Sequence, residues 1–167
     1  MHSADAQLVV RQPGEAVLFL DIDGVLHPGF VETLEHLPRL ERALRGYPHV
    51  DVVVSSNWRC NRTIVELQSL LGLLGARVIG CTPEFPGRAR EEEIDWFCRF
   101  FAVQERLVLD DDESQFRPAA AGVFLINPET GLTGDDLRFV RRWASRSGRF
   151  DPLHMLSFGR FAIRGHA

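Results

Sequence analysis

Lysine is absent from this chain of 167 residues, and all 19 Lys-or-Arg positions are arginine. Any site that needs a fixed positive charge must therefore take it from a guanidinium, a planar fork of donors rather than a point charge. Cysteine is scarce as well: Cys60, Cys81 and Cys98 are widely spaced and odd in number. That spacing excludes the close pairs of a zinc site or a redox motif, and leaves them as small apolar core residues in a reducing cytoplasm. The six histidines are scattered, with no helical pairing. No apolar run is long enough to cross a bilayer, and Met1–Gln12 lacks a basic region followed by an apolar stretch. Neither membrane insertion nor a secretory signal is expected, and the expected location is cytoplasmic. A net charge of -4 argues against general affinity for nucleic acid, though it is compatible with a local basic patch.

What is present is the mix of a globular protein, 45% hydrophobic and 25% charged, in a length that lets one domain bury its own core. No internal repeat, low-complexity tract or linker divides it. Residues 1–15 read as a loose lead-in and residues 16–148 as the domain, while 149–167 has aromatics without a period and no assigned role. Short apolar runs that stop at a polar residue predict strands buried on both faces at Ala16–Leu20, Val50–Val54 and Arg106–Leu109, with weaker ones at Arg77–Ile79 and Gly122–Ile126. Between them, helical spacing predicts helices over Val31–Arg45, Asn61–Leu74, Arg90–Phe101 and Thr133–Ser147. Pro38 either starts the first of these or kinks it. Thr133 and Asp136 form a candidate capping box on the last. Strands alternating with helices imply a doubly wound, mostly parallel α/β sheet.

Three polar clusters follow three of the strands, where ligands bind in open α/β sheets. Asp21-Ile-Asp23-Gly24 comes first. Two carboxylates there repel each other unless a cation or a proton intervenes, which suggests a hard ion such as Mg²⁺; the plain alternative is a turn capped by Asp21 and Asp23. Ser55-Ser56-Asn57-Trp58-Arg59 comes second. Hydroxyls and free amides at a strand-to-helix turn suit phosphate oxygens, and an ordinary N-cap by Ser56 or Asn57 would use the same residues. The acidic run Asp110-Asp111-Asp112-Glu113 comes third. It would be a solvated loop anywhere else, but here it begins where a buried strand ends. Arg88 and Arg90, before the third helix, are the candidate balancing charges.

In that order the clusters resemble the four motifs of the haloacid-dehalogenase (HAD) superfamily, from Val17 to Leu137. Asp21 and Asp23 match the first motif, Ser55 the second, Arg90 or Arg88 the third, and Asp110–Asp111 the fourth. The third is usually lysine, so arginine there is a departure that keeps the charge; Arg90 stands at the expected offset before Ile94. More narrowly, Asp-Gly-Val-Leu-His-Pro, Ser-Ser-Asn-Trp-Arg, Arg-Glu-Glu-Glu-Ile-Asp-Trp, Leu-Asp-Asp-Asp and Thr-Gly-Leu-Thr resemble the HAD domain of bacterial RNA-repair (Swiss Army Knife) proteins. The resemblance implies a phosphatase in which Asp21 attacks phosphorus to form an aspartyl-phosphate and Asp23 acts as general acid, then base. It implies Mg²⁺ held by Asp21, the Asp23 carbonyl and Asp111, with Asp110 beside them. Ser55 would donate to a phosphoryl oxygen and Gly24 would let the backbone approach it. Ser56, Asn57, Arg59 and Arg88 are further candidate substrate contacts, and His27 is assigned to the turn at Pro28.

Neither Val25–Val50 nor Cys60–Gly87 has room for a cap domain. An open site suits bulky phosphates, with nucleic-acid or nucleotide ends favoured by the RNA-repair resemblance and phosphoproteins as the alternative. A receiver-like phosphoacceptor would need a lysine near its end and an acceptor Asp on a middle strand, whereas this chain has no lysine and places its acidic pair on the first strand. A catalytically weak HAD-like binding module would not need both Asp21 and Asp23. A metal nuclease would use the same acidic cluster and is distinguished by cleavage of internal phosphodiesters.

Overall fold

Side chains alternate along an extended strand, so a strand apolar at every position must be covered on both sides. Along Ala16–Leu20, Ala16, Leu18 and Leu20 enter one hydrophobic cluster, Val17 and Phe19 enter another, and all are fully buried. In the computed structural model, which describes residues 8–29 and 31–148, this segment is β1, the middle of a five-stranded sheet. The other strands are β2 (Val50–Val54), β3 (Val78–Cys81), β4 (Glu105–Asp110) and β5 (Val123–Leu125). Their order is β3-β2-β1-β4-β5, and every pairing is parallel. Leu20 is in register with Val54 on one side and Leu109 on the other, so β1, β2 and β4 finish level. The chain runs outward from β1 to β3 and then crosses back to β4. The order therefore reverses beside β1, which places a crevice at the carboxyl ends.

Helices cover both faces. Helix α1 (Leu37–Leu44), α2 (Ile64–Leu70), α3 (Gly72–Gly75) and α5 (Gly134–Ser147) contribute Leu40, Leu67, Leu74 and Val140 to the larger cluster. Helix α4 (Arg90–Phe100) covers the other face with Ile94 and Phe97, and the Phe97 ring meets Phe19 edge-on at 5.5 Å. Short connections carry these helices, and no cap domain lies among the described residues. Nor is any described helix long and apolar enough to cross a membrane.

Several boundaries differ from those the periodicity predicts. The first helix begins at Leu37 with Pro38 in its opening turn, where no amide hydrogen is needed. Leu34, which shares its apolar spacing, sits outside at φ 51. The stretch from Asn61 to Leu74 is not one helix. Thr63 and Glu66 form a capping box that starts α2 at Ile64, and the chain breaks at Leu71 before α3 opens on Gly72, at φ 53. The Thr133–Asp136 capping box opens α5 as expected. The lead-in is not loose from Leu8 onward. Val9 bridges Gly80 antiparallel, and the Arg11 guanidinium forks onto the buried Asp51 carboxylate, which also accepts from the Gly14 amide at 2.7 Å. Cys60 is exposed rather than in the core, while Cys81 is buried and its thiol is pushed up to about 11 by desolvation. The tail from 149 to 167 lies outside the described residues.

Adjacent leucines on α3 test this packing. Leu74 is 1% exposed and Leu73 is 76% exposed. Leu74→Ala should cost about 2–5 kcal/mol in denaturant unfolding and Leu73→Ala no more than about 0.5 kcal/mol.

Candidate active site

Level strand ends bring the three polar clusters together. The Asp21 amide donates to the Leu109 carbonyl at 2.9 Å and the Ser55 amide to the Leu20 carbonyl at 3.0 Å, so the ladder continues one residue past β1 and β2. Asp21 and Ser55 are thereby held at the rim beside Asp110, the last residue of β4, and all three are buried. Asp21, Asp110 and Asp111 each present a carboxylate oxygen, all within 4.8 Å of one another. Gly24 makes room for this cluster. It adopts φ 66, and a Cβ there would stand 2.2 Å from Asp111 Oδ2, so the close approach it permits is to Asp111.

Arg90 lies among these carboxylates. Its Nη1 is 2.5 Å from Asp110 Oδ2 and 3.0 Å from Asp21 Oδ2, and its side chain is nearly as buried as theirs. Burial would favour a neutral guanidine, but Asp21 and Asp110 outweigh it and push the Arg90 pKa up. Three carboxylates against one guanidinium still leave an excess of two negative charges. The excess is felt in the protonation of the acids: burial, and then repulsion from Asp21, pushes both Asp110 and Asp111 up to about 6. Asp110 also accepts from the Asp112 amide at 3.0 Å. With one oxygen on Arg90 and the other on that amide, Asp110 serves as the anchor for Arg90, and Asp21 and Asp111 keep the freer oxygens. A divalent cation would cancel the residual charge, and hard oxygen donors of this kind suit Mg²⁺.

Ser55 Oγ is fully enclosed and has no hydrogen-bond partner among the described residues, a state buried hydroxyls rarely keep. Its neighbour Ser56 serves as the N-cap of the turn Asn57–Cys60, accepting from the Trp58 amide at 3.4 Å. Asn57 is exposed, and its Oδ1 accepts from Arg90 Nη2 at 3.4 Å. Two arginines proposed from the sequence as substrate contacts are placed otherwise. Arg59 donates to the Ser55, Ser56, Thr82 and Pro83 carbonyls and pairs with Glu93 at 2.5 Å, so its donors are committed to holding the strand ends. Arg88 is exposed and pairs with Glu92 at 2.6 Å, outside the carboxylate cluster. Of the two arginines left open for the basic position, Arg90 is the one that reaches Asp21.

Asp23 does not join the metal-type cluster with its side chain. Its Oδ2 accepts from the Trp58 indole at 2.9 Å, and its Oδ1 lies 3.0 Å from His27 Nε2. His27 is fully buried beneath this contact, so it does more than shape the turn at Pro28. Sequence reasoning did not assign Trp58 to Asp23; the indole sits inside the quoted Ser-Ser-Asn-Trp-Arg run, but only folding brings it to a residue 35 positions earlier. Gln115, which caps the Arg90 amide at 3.1 Å, carried no signal of its own.

Residues 17–137 match the family described as the HAD domain in Swiss Army Knife RNA repair proteins. No curated protein and no solved structure matches the chain.

The crowded carboxylates have a consequence for stability without any cation. Because Asp110 and Asp111 hold protons to higher pH when folded, the folded state binds more protons than the unfolded chain between pH 4 and pH 6, and stability falls as pH rises through that window. Asp111→Asn, melted in a chelator at pH 7, should therefore be more stable than wild type by a few degrees, since about 1 kcal/mol moves a chain of this size by roughly 2–4 °C. The gain should shrink at pH 5.

Proposed function

The chain belongs to the family of HAD domains found in Swiss Army Knife RNA repair proteins, and on that premise we propose that it is a Mg²⁺-dependent phosphatase with Asp21 as nucleophile. The observation that carries this reading is the buried Asp21 carboxylate, 3.0 Å from Arg90, at the same rim as a buried Ser55 hydroxyl that has no partner among the described residues. A phosphoryl group placed there would give Ser55 the acceptor it lacks and would meet the Arg90 guanidinium.

In this reading Asp21 attacks phosphorus and the bond to the leaving oxygen breaks, while Asp23 supplies that oxygen with a proton. Water then attacks the aspartyl-phosphate, Asp23 takes its proton, and phosphate leaves with Asp21 restored. Asp21, Asp111 and the Asp23 carbonyl would hold Mg²⁺, which offsets charge between a carboxylate nucleophile and an anionic ester. Arg90 stays charged throughout and is fixed from behind by Asp110 and Asn57.

The substrate class we infer is a bulky phosphate, with nucleic-acid or nucleotide ends first because of the family's description. A cavity of about 240 Å³ beside Arg90, lined by Asn57, Arg88, Asp112 and Gln115 among others, supports that inference. It shares Phe85, Pro86, Arg88 and Gln115 with a larger cavity of about 790 Å³ that runs along α4 to Trp96 and Arg117. The larger cavity lies away from the carboxylates, so it is read as room for the body of a substrate and not as the reacting centre. A cytoplasmic location fits the free thiols and belongs to the same proposal.

Phosphate release should depend on Mg²⁺ and fall by roughly 10³-fold or more in Asp21→Asn, with the fold retained. At about 100 times its Kd the ion should add about 2.7 kcal/mol to wild-type stability. Turnover that survives in Asp21→Asn would remove Asp21 from this role.

A further inference from the structure

The carboxylate of Asp23 is held by two donors from two different segments, and neither is required by the cation site. Trp58 comes from the turn after β2 and His27 from the loop after β1. That loop folds back on itself. The Val25 and Leu26 amides donate to the Ile22 carbonyl, the Gly24 amide donates to the Gly29 carbonyl, and the backbone of His27 bridges that of Asp23. The imidazole therefore arrives from directly beneath the carboxylate. Trp58 is fixed in turn: its amide is capped by Ser56, and the Arg62 guanidinium lies over its ring at 4.3 Å.

His27 is fully buried, and its Nδ1 has no partner among the described residues. Burying a histidine with one nitrogen orphaned is a poor way to build a turn, and an apolar residue of similar size would fill that space with nothing unmatched. What the histidine adds is the contact from Nε2 to Asp23 Oδ1. The indole adds the matching contact to Oδ2, which an aromatic ring without N–H could not make. With one donor on each oxygen, both torsions of the Asp23 side chain are set. Its side chain nevertheless stays 26% exposed, which leaves one edge of the carboxyl open.

We propose that His27 and Trp58 are positioning residues for Asp23, aiming its open edge at the leaving oxygen of the substrate. The inference rests on the phosphatase reading above. Within it, Asp23 gives its proton to the leaving oxygen as the phosphorus–oxygen bond breaks, and recovers a proton from the water that attacks the aspartyl-phosphate. Both transfers need the carboxyl within hydrogen-bond reach of an atom it does not bind permanently, so its direction matters as much as its presence. His27 and Trp58 touch neither substrate nor cation, and act only through Asp23.

A positioned acid matters in proportion to how much the leaving group needs a proton. Nitrophenolate leaves without one, and an alkoxide does not. The test measures kcat/KM, which ends at transfer to the enzyme, for p-nitrophenyl phosphate and for an alkyl phosphate such as a nucleoside 3′-phosphate. It compares wild type with Trp58→Phe and with His27→Phe, each of which keeps a ring and removes the contact to Asp23. His27→Gln, whose amide can still donate to Oδ1, is the conservative variant. Roughly tenfold or greater loss on the alkyl ester is expected for both Phe variants, with a distinctly smaller loss on the nitrophenyl ester and partial recovery in His27→Gln. Equal losses on the two esters would show a merely structural role and overturn this inference alone. No loss on either ester would overturn it as well. Absence of turnover in wild type on both esters would remove the phosphatase reading, and this inference with it.

Discussion

Asp21, Asp110 and Asp111 present their oxygens within 4.8 Å of one another, and the one guanidinium among them cannot balance all three. Every other feature of the rim either brings these groups together or makes the crowding tolerable. The register that ends β1, β2 and β4 level sets Asp21 beside Asp110, and Gly24 withholds a side chain that would collide with Asp111. Arg90 is delivered at the first position of α4, where its own amide is capped by Gln115, so both its backbone and its charge are tied to the acidic loop. The protein thus keeps a residual negative charge in a half-enclosed place, where it is costly, and a hard cation held there would relieve that cost.

Division of labour among the charged residues follows from burial. Arg59 and Arg90 are both largely enclosed and both face acids, yet they do different things. Arg59 spends its donors on four carbonyls and Glu93, and so fixes the ends of β2 and β3 relative to α4. Arg90 faces two aspartates at the reacting rim and remains charged because of them. Asp23, two residues beyond Asp21, is held outside the cluster by His27 and Trp58, so two carboxylates within a stretch of three residues face different surroundings.

The doubly wound fold and the gathering of polar clusters at the strand ends were legible from the amino acids because both depend on local pattern. Ala16–Leu20 is apolar at every position and Val50–Val54 at all but Asp51, a pattern that suits a strand covered on both faces, and each run ends where its polar cluster begins. What the pattern could not carry was anything decided by contact across the fold. The apolar spacing at Leu34 continues that of α1, but the backbone turns left-handed there. The chain breaks at Leu71 although helical leucines continue on both sides. Arg88 and Arg90 both stand at the third motif; only the structure shows that one meets Glu92 and the other Asp21. The same holds for the lead-in, where the pairing of Arg11 with Asp51 joins residues 40 positions apart. His27 and Trp58 were visible as residues of the motifs, and their shared partner was not.

A divalent cation is proposed to sit between Asp21 and Asp111, with Arg90 held aside by Asp110. Crystals of the protein grown with Mn²⁺, which takes the same hard oxygen ligands, would test it through anomalous scattering. The account predicts one anomalous peak bonded to carboxylate oxygens of Asp21 and Asp111, with the Arg90–Asp110 pair intact. A cluster that stays free of Mn²⁺ at saturating ion, or an ion bound elsewhere while these carboxylates remain together, would contradict it.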